Sequence, residues 1–99
     1  MPFAIRFSDR DGVREKKKSL RAEHLEYVET NMSRIIVSGG TFPDDDDFPV
    51  GGIIILDVDT RAEAVEYIEN DPFFVHGIFS EYLVERFVKF IFDGQRAVG

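Results

Sequence analysis

The sequence predicts an α+β fold, with a four-stranded antiparallel sheet covered on one face by two helices. Two segments alternate apolar and polar side chains as strands do, and two others are short runs rich in β-branched residues. Two segments with helical spacing separate them. The strands are predicted over residues 2–8, 34–38, 53–58 and 78–84, and the helices over residues 20–31 and 61–69. The resulting order, β-α-β-β-α-β, favours the ferredoxin-like arrangement.

The first helix is predicted to begin after a charged stretch of uncertain structure. Residues 13–18 fit either a helical turn or a loop. Ser19 has a side chain that suits an N-cap, so the helix is predicted over residues 20–31. Helical spacing places several side chains near its inner face: Leu20, His24, Tyr27, Val28 and Met32.

The second helix has clearer boundaries. Thr60 and Glu63 form a capping box at its start. The residues expected on its buried side are Ala62, Val65 and Ile68. Asp71 precedes Pro72, which disfavours helical geometry in the residue before it and so ends the helix. The Asp71 side chain is also expected to cap the short segment 72–75.

The length of the chain predicts a single domain, with a core over residues 1–92 and a C-terminal tail over residues 93–99. Residues 39–52 are expected to form a loop, since they contain glycines, prolines and four successive aspartates. Residues 87–92 either extend the last strand or form a short edge strand. Most of the ten phenylalanines follow residue 70. We therefore expect the uncovered sheet face to pack on a second copy, giving a homodimer.

The composition argues against several classes of function. The absence of cysteine removes disulfides, thiolate nucleophiles and cysteine metal sites. The formal net charge of −7 argues against nucleic-acid binding. No signal peptide or membrane-spanning segment is visible, so a cytoplasmic location without membrane association is expected. The two histidines lack metal-site spacing, and we expect neither a metal nor another cofactor.

Two charged runs are predicted to be solvated. Asp44–Asp47 lacks the Asp-x-Asp-x-Asp-Gly pattern of a calcium loop. Lys16–Lys18 is predicted to form a solvated helix face, as is usual for lysines among many carboxylates. If these lysines line the mouth of a cleft instead, they would steer anions towards it.

Several motifs, in their order and spacing, resemble those of the YCII-related (YciI-like) family. Residues 21–25, Arg-Ala-Glu-His-Leu, are similar to the family's Arg-x-x-His-Leu entry to the first helix. Residues 35–40 resemble its apolar strand that ends in a small residue and glycine. Residues 70–73 and 77–79 resemble its Asp-Pro-aromatic turn and its last strand, which begins with glycine. The resemblance covers about residues 1–92.

The resemblance implies a ferredoxin-like fold of the dimeric α+β barrel type and a site centred on His24 and Asp71. At least one relative eliminates chloride from a chlorinated hydroxyhydroquinone. The implied function is therefore proton-transfer chemistry, an elimination or isomerisation, on a small anionic or phenolic substrate. The alternative is a non-catalytic ligand-binding or regulatory dimer, because a fold alone does not determine function.

Each residue of the implied site also has a plain structural explanation. His24 is expected in the first turns of its helix, where the helix dipole and partial burial disfavour the imidazolium and suit a general base; the alternative is a core histidine bonded to a backbone carbonyl. Arg21 is either an anion contact or a surface arginine. Ser38 and Gly39 either contact substrate or mark the end of a strand. Asp71 either partners His24 or only caps a turn.

The order of the elements sets a condition on the implied pair. The start of the first helix and the end of the second are expected at opposite rims of the sheet. Contact between His24 and Asp71 therefore requires that His24 lies well inside its helix or that the two residues come from different subunits. His76, the other histidine, is expected at the surface.

Overall fold

The computed structural model describes residues 2–97. It contains β1 (Phe3–Asp9), α1 (Arg14–Thr30), a 3-10 turn (Met32–Arg34), β2 (Ile35–Thr41), β3 (Gly51–Leu56), α2 (Arg61–Glu69), α3 (Pro72–Val75), β4 (Phe79–Arg86), β5 (Ile91–Phe92) and β6 (Gln95–Arg96). The predicted α+β class and element order are confirmed. Within the described range, no helix is long and apolar enough to cross a membrane.

The four main strands form one antiparallel sheet in the order β2-β3-β1-β4. This is the ferredoxin-like topology that the sequence predicts. In the register of β1 with β3, Phe3 lies opposite Leu56, and Ile5 lies opposite Ile54. These four side chains form the sheet side of the core. The helices add Leu20 from α1 and Ala64, Tyr67 and Ile68 from α2.

Helix α1 begins at Arg14, so the prediction that Ser19 caps a helix starting at Leu20 is wrong. Ser19 lies inside the helix, where its hydroxyl donates to the carbonyl of Lys16 at 2.7 Å. The residues before Ser19 are Arg, Glu and Lys, which have high helix propensity although they lack an apolar pattern. The helix also anchors its first turns through Lys17, whose side chain is only 9% exposed.

Helix α2 begins at the predicted capping box. The Thr60 hydroxyl accepts from the backbone N–H of Glu63 at 3.2 Å and donates to the Glu63 carboxylate at 3.0 Å. The predicted buried face is partly wrong, because Ala62 is exposed and Val65 only partly buried. The core side of α2 contains Ala64, Tyr67 and Ile68.

Strand β2 extends further than the sequence indicates. Gly39, Gly40 and Thr41 pair with Ile53, Gly52 and Gly51 of β3, so the connecting loop spans only residues 42–50. The predicted loop over residues 39–52 is therefore too long. Consecutive glycines have low strand propensity, but the hydrogen bonds of β2 to β3 outweigh that local preference.

The face of the sheet away from the helices presents apolar side chains. Val37 of β2, Ile53 of β3 and Leu83 of β4 lie on this face and are 51%, 44% and 56% exposed. We call these three residues the outer patch. Beyond β4, strands β5 and β6 pair with each other as a small separate hairpin. Residues 87–92 therefore do not extend β4, and the boundary expected at residue 92 falls inside the hairpin.

Candidate functional site

A cavity of about 440 Å³ lies between α1, the sheet, α3 and the loop 42–50. Its volume is within the range of small-molecule sites in proteins. Much of its wall is apolar, with Phe7 and Ile54 from the sheet and Phe73 from α3. The structure brings all five predicted site residues to this cavity: Arg21, His24, Ser38, Gly39 and Asp71.

His24 and Asp71 are in direct contact. The His24 Nδ1 atom lies 3.0 Å from Oδ1 and 3.1 Å from Oδ2 of Asp71. The Asp71 side chain is 3% exposed, whereas the His24 side chain is 24% exposed. Because a carboxylate only accepts hydrogen bonds, this contact assigns the imidazole proton to Nδ1. In the neutral imidazole this leaves the lone pair on Nε2, which is the arrangement that a general base requires.

Asp71 has a second hydrogen bond that holds it in place. Its Oδ1 atom accepts from the backbone N–H of Phe73 at 2.8 Å, so the carboxylate caps α3 as the sequence predicts. The Phe73 ring in turn stacks on the His24 imidazole, with centroids 4.0 Å apart and an angle of 9° between the planes. The imidazole is thus oriented in its plane by Asp71 and on one face by Phe73.

The position of His24 in its helix differs from the prediction. The N-terminus of α1 is at Arg14, so His24 lies in the middle of the helix and not in its first turns. The effect of the helix dipole decays within about one turn of the end, so it does not act on His24 as predicted. The same shift satisfies the condition for contact with Asp71, because His24 lies well inside α1 of the same chain.

The other predicted residues lie on different walls of the cavity. Arg21 is exposed at its edge, one turn before His24. Ser38 lies opposite Ile54 in the sheet, on the side of the helices. Gly39 is in register with Ile53, which faces the opposite side, so Gly39 offers only its backbone to the cavity. His76 is at the surface, 3.9 Å from the Glu23 carboxylate.

Lys17 also lines the cavity, although the sequence indicated a solvated lysine run. Its Nζ atom donates to Asp9 Oδ2 at 2.6 Å and to the carbonyl of Pro49 at 3.2 Å. The prediction of a solvated face is therefore wrong for Lys17. A signal was present: Lys17 is seven residues before His24, which puts both on one face of a continuous helix. The predicted helix began at Leu20 and excluded Lys17, so this spacing could not be recognised from the sequence.

Tyr67 is a further cavity residue that the sequence analysis missed. Burial, and next the negative charge of Asp71, raise the pKa of the Tyr67 hydroxyl to about 12. The hydroxyl therefore stays protonated at neutral pH and can donate a hydrogen bond. Tyr67 would have been found had the buried face of α2 been assigned correctly. No group of three or more His, Asp or Glu side chains suited to a metal ion occurs between residues 2 and 97.

These features define a class: a ferredoxin-like α+β protein whose small-molecule-sized cavity carries an imidazole–carboxylate pair. The residues that resemble family motifs, His24 and Asp71 among them, lie on its walls. The chain belongs to the YCII-related domain family, whose model matches residues 1–88. Among curated proteins, no sequence matches the chain.

Solved structures include a similar enzyme. The chain is similar to the 5-chloro-2-hydroxyhydroquinone dehydrochlorinase TftG of Burkholderia phenoliruptrix, solved in complex with 2,5-dihydroxybenzoquinone, with 33% identity and a TM-score of 0.80. The match covers 89% of this chain and 94% of that one. A protein of Arabidopsis thaliana matches with 17% identity, a TM-score of 0.47 and coverage of 89% and 93%. A protein of Agrobacterium tumefaciens matches with 13% identity, a TM-score of 0.48 and coverage of 91% and 96%.

Proposed function

We propose that this protein is an enzyme that catalyses proton transfer, in an elimination or isomerisation, on a small phenolic or anionic substrate. The observation that carries the proposal is the contact between His24 Nδ1 and the buried Asp71 carboxylate on the wall of a cavity. The His24 ring lines the cavity, and in its neutral form Nε2 is the nitrogen that can accept a substrate proton. His24 is the acid/base, and Asp71 holds its tautomer and orientation.

The proposed elimination begins when His24 Nε2 removes a proton from the substrate. The electron pair of the broken bond forms a new double bond, and the leaving group departs as an anion. Asp71 stabilises the imidazolium that forms, and the proton then passes to water. Negative charge develops on a substrate oxygen during this step. The donors on the cavity wall include the protonated Tyr67 hydroxyl, Arg21 and the Ser38 hydroxyl, while Gly39 leaves room for the substrate.

The likeness to a dehydrochlorinase supports this class of reaction. That enzyme's name describes the loss of hydrogen chloride from a hydroxylated ring, and its structure contains a planar six-membered quinone. A cavity of about 440 Å³ accommodates a ligand of this size, and Phe7, Ile54 and Phe73 supply apolar contacts for a ring. The proposed substrate class is therefore a hydroxylated ring, with or without a halogen.

The proposal is tested by assaying the purified protein against chlorinated and hydroxylated aromatics and their quinones. Turnover is followed by ultraviolet absorbance and by chloride release. We expect at least one compound to be converted without added metal or redox cofactor. Binding of several compounds with conversion of none would contradict the enzyme proposal and favour the alternative, a ligand-binding or regulatory dimer. That alternative is consistent with the structural role of Asp71 as a helix cap.

We also propose that two copies associate through the outer patch. Val37, Ile53 and Leu83 expose apolar surface on three strands of one sheet face. Leu83→Asp is expected to weaken the dimer at least about a hundredfold, because it replaces an apolar contact with a carboxylate that loses water at the interface even beside Arg6, its neighbour on β1. Light scattering after size-exclusion chromatography measures the change. Val75→Asp, at a similarly exposed residue on α3, is the matched control. A wild-type monomer, or an unchanged Leu83→Asp dimer, would contradict this assembly.

A further inference from the structure

The Tyr67 hydroxyl has no hydrogen-bond partner in the part of the chain that the structure describes. Tyr67 is 2% exposed and lines the cavity. The Tyr27 hydroxyl donates to the Tyr67 backbone carbonyl and not to its side chain. Among the buried side chains of residues 2–97, an oxygen with neither a partner nor open space beside it occurs only at Asp9. The Tyr67 hydroxyl must therefore reach open space, and the cavity is the space that Tyr67 lines.

Contacts on several sides hold the Tyr67 ring in place. The bond from the Tyr27 hydroxyl to the Tyr67 backbone carbonyl is 2.7 Å long, and the centroids of the two rings are 5.3 Å apart. The Arg34 guanidinium lies 5.9 Å from the Tyr67 ring centroid. The hydroxyl is thus a donor whose position is fixed before a ligand arrives. Such a donor stabilises negative charge on a ligand without the cost of reorganising the site.

Tyr67 lies close to the proposed base, because both residues are neighbours of Asp71. The His24 Nδ1 atom contacts the Asp71 carboxylate at 3.0 Å. Burial, and next the charge of the same carboxylate, raise the pKa of the Tyr67 hydroxyl to about 12. Tyr67 also packs on Tyr27, which follows His24 by about one turn of α1. The hydroxyl and the imidazole therefore serve neighbouring positions of one ligand.

The chemistry of a hydroxylated ring explains why the base needs such a donor. A carbon of an aromatic ring holds its proton too strongly for an imidazole to remove it. In the keto tautomer of the same ring, a carbon next to the carbonyl carries a removable proton, and its removal moves negative charge onto the carbonyl oxygen. The Tyr67 hydroxyl stays protonated at neutral pH, because its pKa is about 12, and it can donate to that oxygen before and after the proton leaves.

We propose that Tyr67 is a catalytic residue that binds the carbonyl oxygen of an enolisable ketone, such as the keto tautomer of a hydroxylated ring, while His24 removes a proton from the adjacent carbon. The inference rests on the proposed function, because it takes His24 as the base. The C–H bond breaks and its proton passes to His24 Nε2. The electron pair of that bond forms a carbon–carbon double bond, and the carbonyl π pair moves to the oxygen, which accepts from Tyr67 as an enolate.

The fate of the enolate depends on the substrate. If the next carbon carries a leaving group, the carbonyl re-forms, the carbon–carbon double bond moves one position and the leaving group departs as an anion. Without a leaving group, the enolate oxygen takes a proton from water and the product is the enol. In both cases His24 returns its proton to solvent. The same two residues therefore serve an elimination and an isomerisation.

Hydrogen exchange on a simple ketone tests the proposed step. The probe is 1,4-cyclohexanedione, an uncharged six-membered ring with removable hydrogens beside each carbonyl. Proton NMR in D₂O at neutral pH measures their replacement by deuterium. The wild-type protein is expected to accelerate the exchange at least about a hundredfold over buffer. The Tyr67→Phe variant, which keeps the ring, is expected to lose about a hundredfold of the catalysed rate, mainly in kcat and not in KM.

A second measurement detects the hydrogen bond without any reaction. Donation to a carbonyl oxygen moves the carbon-13 resonance of that carbonyl downfield. With the probe labelled at its carbonyl carbons, the resonance extrapolated to the bound state is expected to move downfield in the wild-type protein and in His24→Ala. The Tyr67→Phe variant is expected to lose this shift, because its ring has no donor.

Tyr82→Phe is the matched control. It removes the same atom from a tyrosine that does not line the cavity and whose hydroxyl donates to Glu69 at 2.6 Å, and it is expected to change neither the exchange rate nor the carbon shift. A folded Tyr67→Phe variant that keeps either wild-type property, or a wild-type protein that gives no carbon shift, would overturn the assignment of Tyr67. A shift lost only in Tyr67→Phe, with no exchange in the wild type and no turnover of any compound, would instead overturn the proposed function.

Discussion

Replacing His24 with alanine is expected to lower turnover of a converted substrate by about 10²–10⁴-fold, the usual contribution of a positioned acid/base group. The imidazole is 24% exposed on its side chain and lies outside the fully buried core, so its removal should leave the fold intact. The effect should appear mainly in kcat, because the proton transfer occurs in the transition state and not on binding. Steady-state kinetics with circular dichroism as a folding check provide the measurement.

The Asp71→Asn variant tests whether the tautomer of His24 matters for turnover. An asparagine oxygen can still accept from the Phe73 N–H, which preserves the cap of α3. Its amide then presents a donor to His24 Nδ1, which must accept and leave its proton on Nε2. The free lone pair facing the cavity is lost, so we expect a decrease in kcat of similar size with little loss of stability. His76→Ala, at the surface histidine, is the control for both variants.

If His24→Ala kept activity within about threefold of wild type, His24 would not be the base.

Gly51→Ala is expected to destabilise the sheet strongly, although it adds only one methyl group. A β-carbon at this position would lie 2.4 Å from the backbone oxygen of Phe7 and 3.0 Å from the Thr41 hydroxyl oxygen. Gly51 pairs with Ser8 of β1 and Thr41 of β2, so the new methyl group would force neighbouring strands apart. We expect a loss of about 3 kcal/mol in the free energy of unfolding, at the upper end for overpacking.

A matched glycine on the adjacent strand provides the comparison. Gly39 lies in β2, and a β-carbon there would meet no atom within 4 Å. Gly39→Ala is expected to change the free energy of unfolding by less than about 0.5 kcal/mol, as for most surface substitutions. In a domain of this size the Gly51 variant should melt at least about 12 °C lower, whereas the Gly39 variant should melt near the wild-type temperature. Equal melting temperatures for the two variants would contradict the predicted clash, because they would show that the strands accommodate the methyl group without a loss of stability.

The order of elements could be predicted because each strand carries its own local signal. Residues of β1 alternate between the core and the outer face, and β3 is apolar along most of its length. The start of α1 could not be predicted in this way. Its first turns contain no apolar stripe. The residue that they bury is Lys17, whose ammonium is stabilised by Asp9 of β1. Such a pairing depends on how the strand and the helix meet in space.

The site was predictable only in part, for a related reason. His24 and Asp71 are 47 residues apart, and their separation is determined by the packing of α3 against α1. The motif resemblance selected both residues and implied that they share one site, but it did not show that they are in contact. Tyr67 was missed because the small side chains on both sides of α2 left its buried face ambiguous. The buried face of α2 is identified by the contact of the Tyr67 ring with Tyr27, with centroids 5.3 Å apart, and the sequence alone does not show that contact.

The carboxylate that both caps α3 and orients His24 constrains how proteins with this architecture can diverge. A residue other than asparagine at Asp71 would remove the cap of α3 as well as the contact with the imidazole, so that wall has little freedom to adapt to a new ligand. Phe48 also lines the cavity, and its ring comes from the connection between β2 and β3, where it neither caps a helix nor contacts His24. Selectivity for one ligand over another should therefore evolve through that connection, while the His24–Asp71 pair stays as it is.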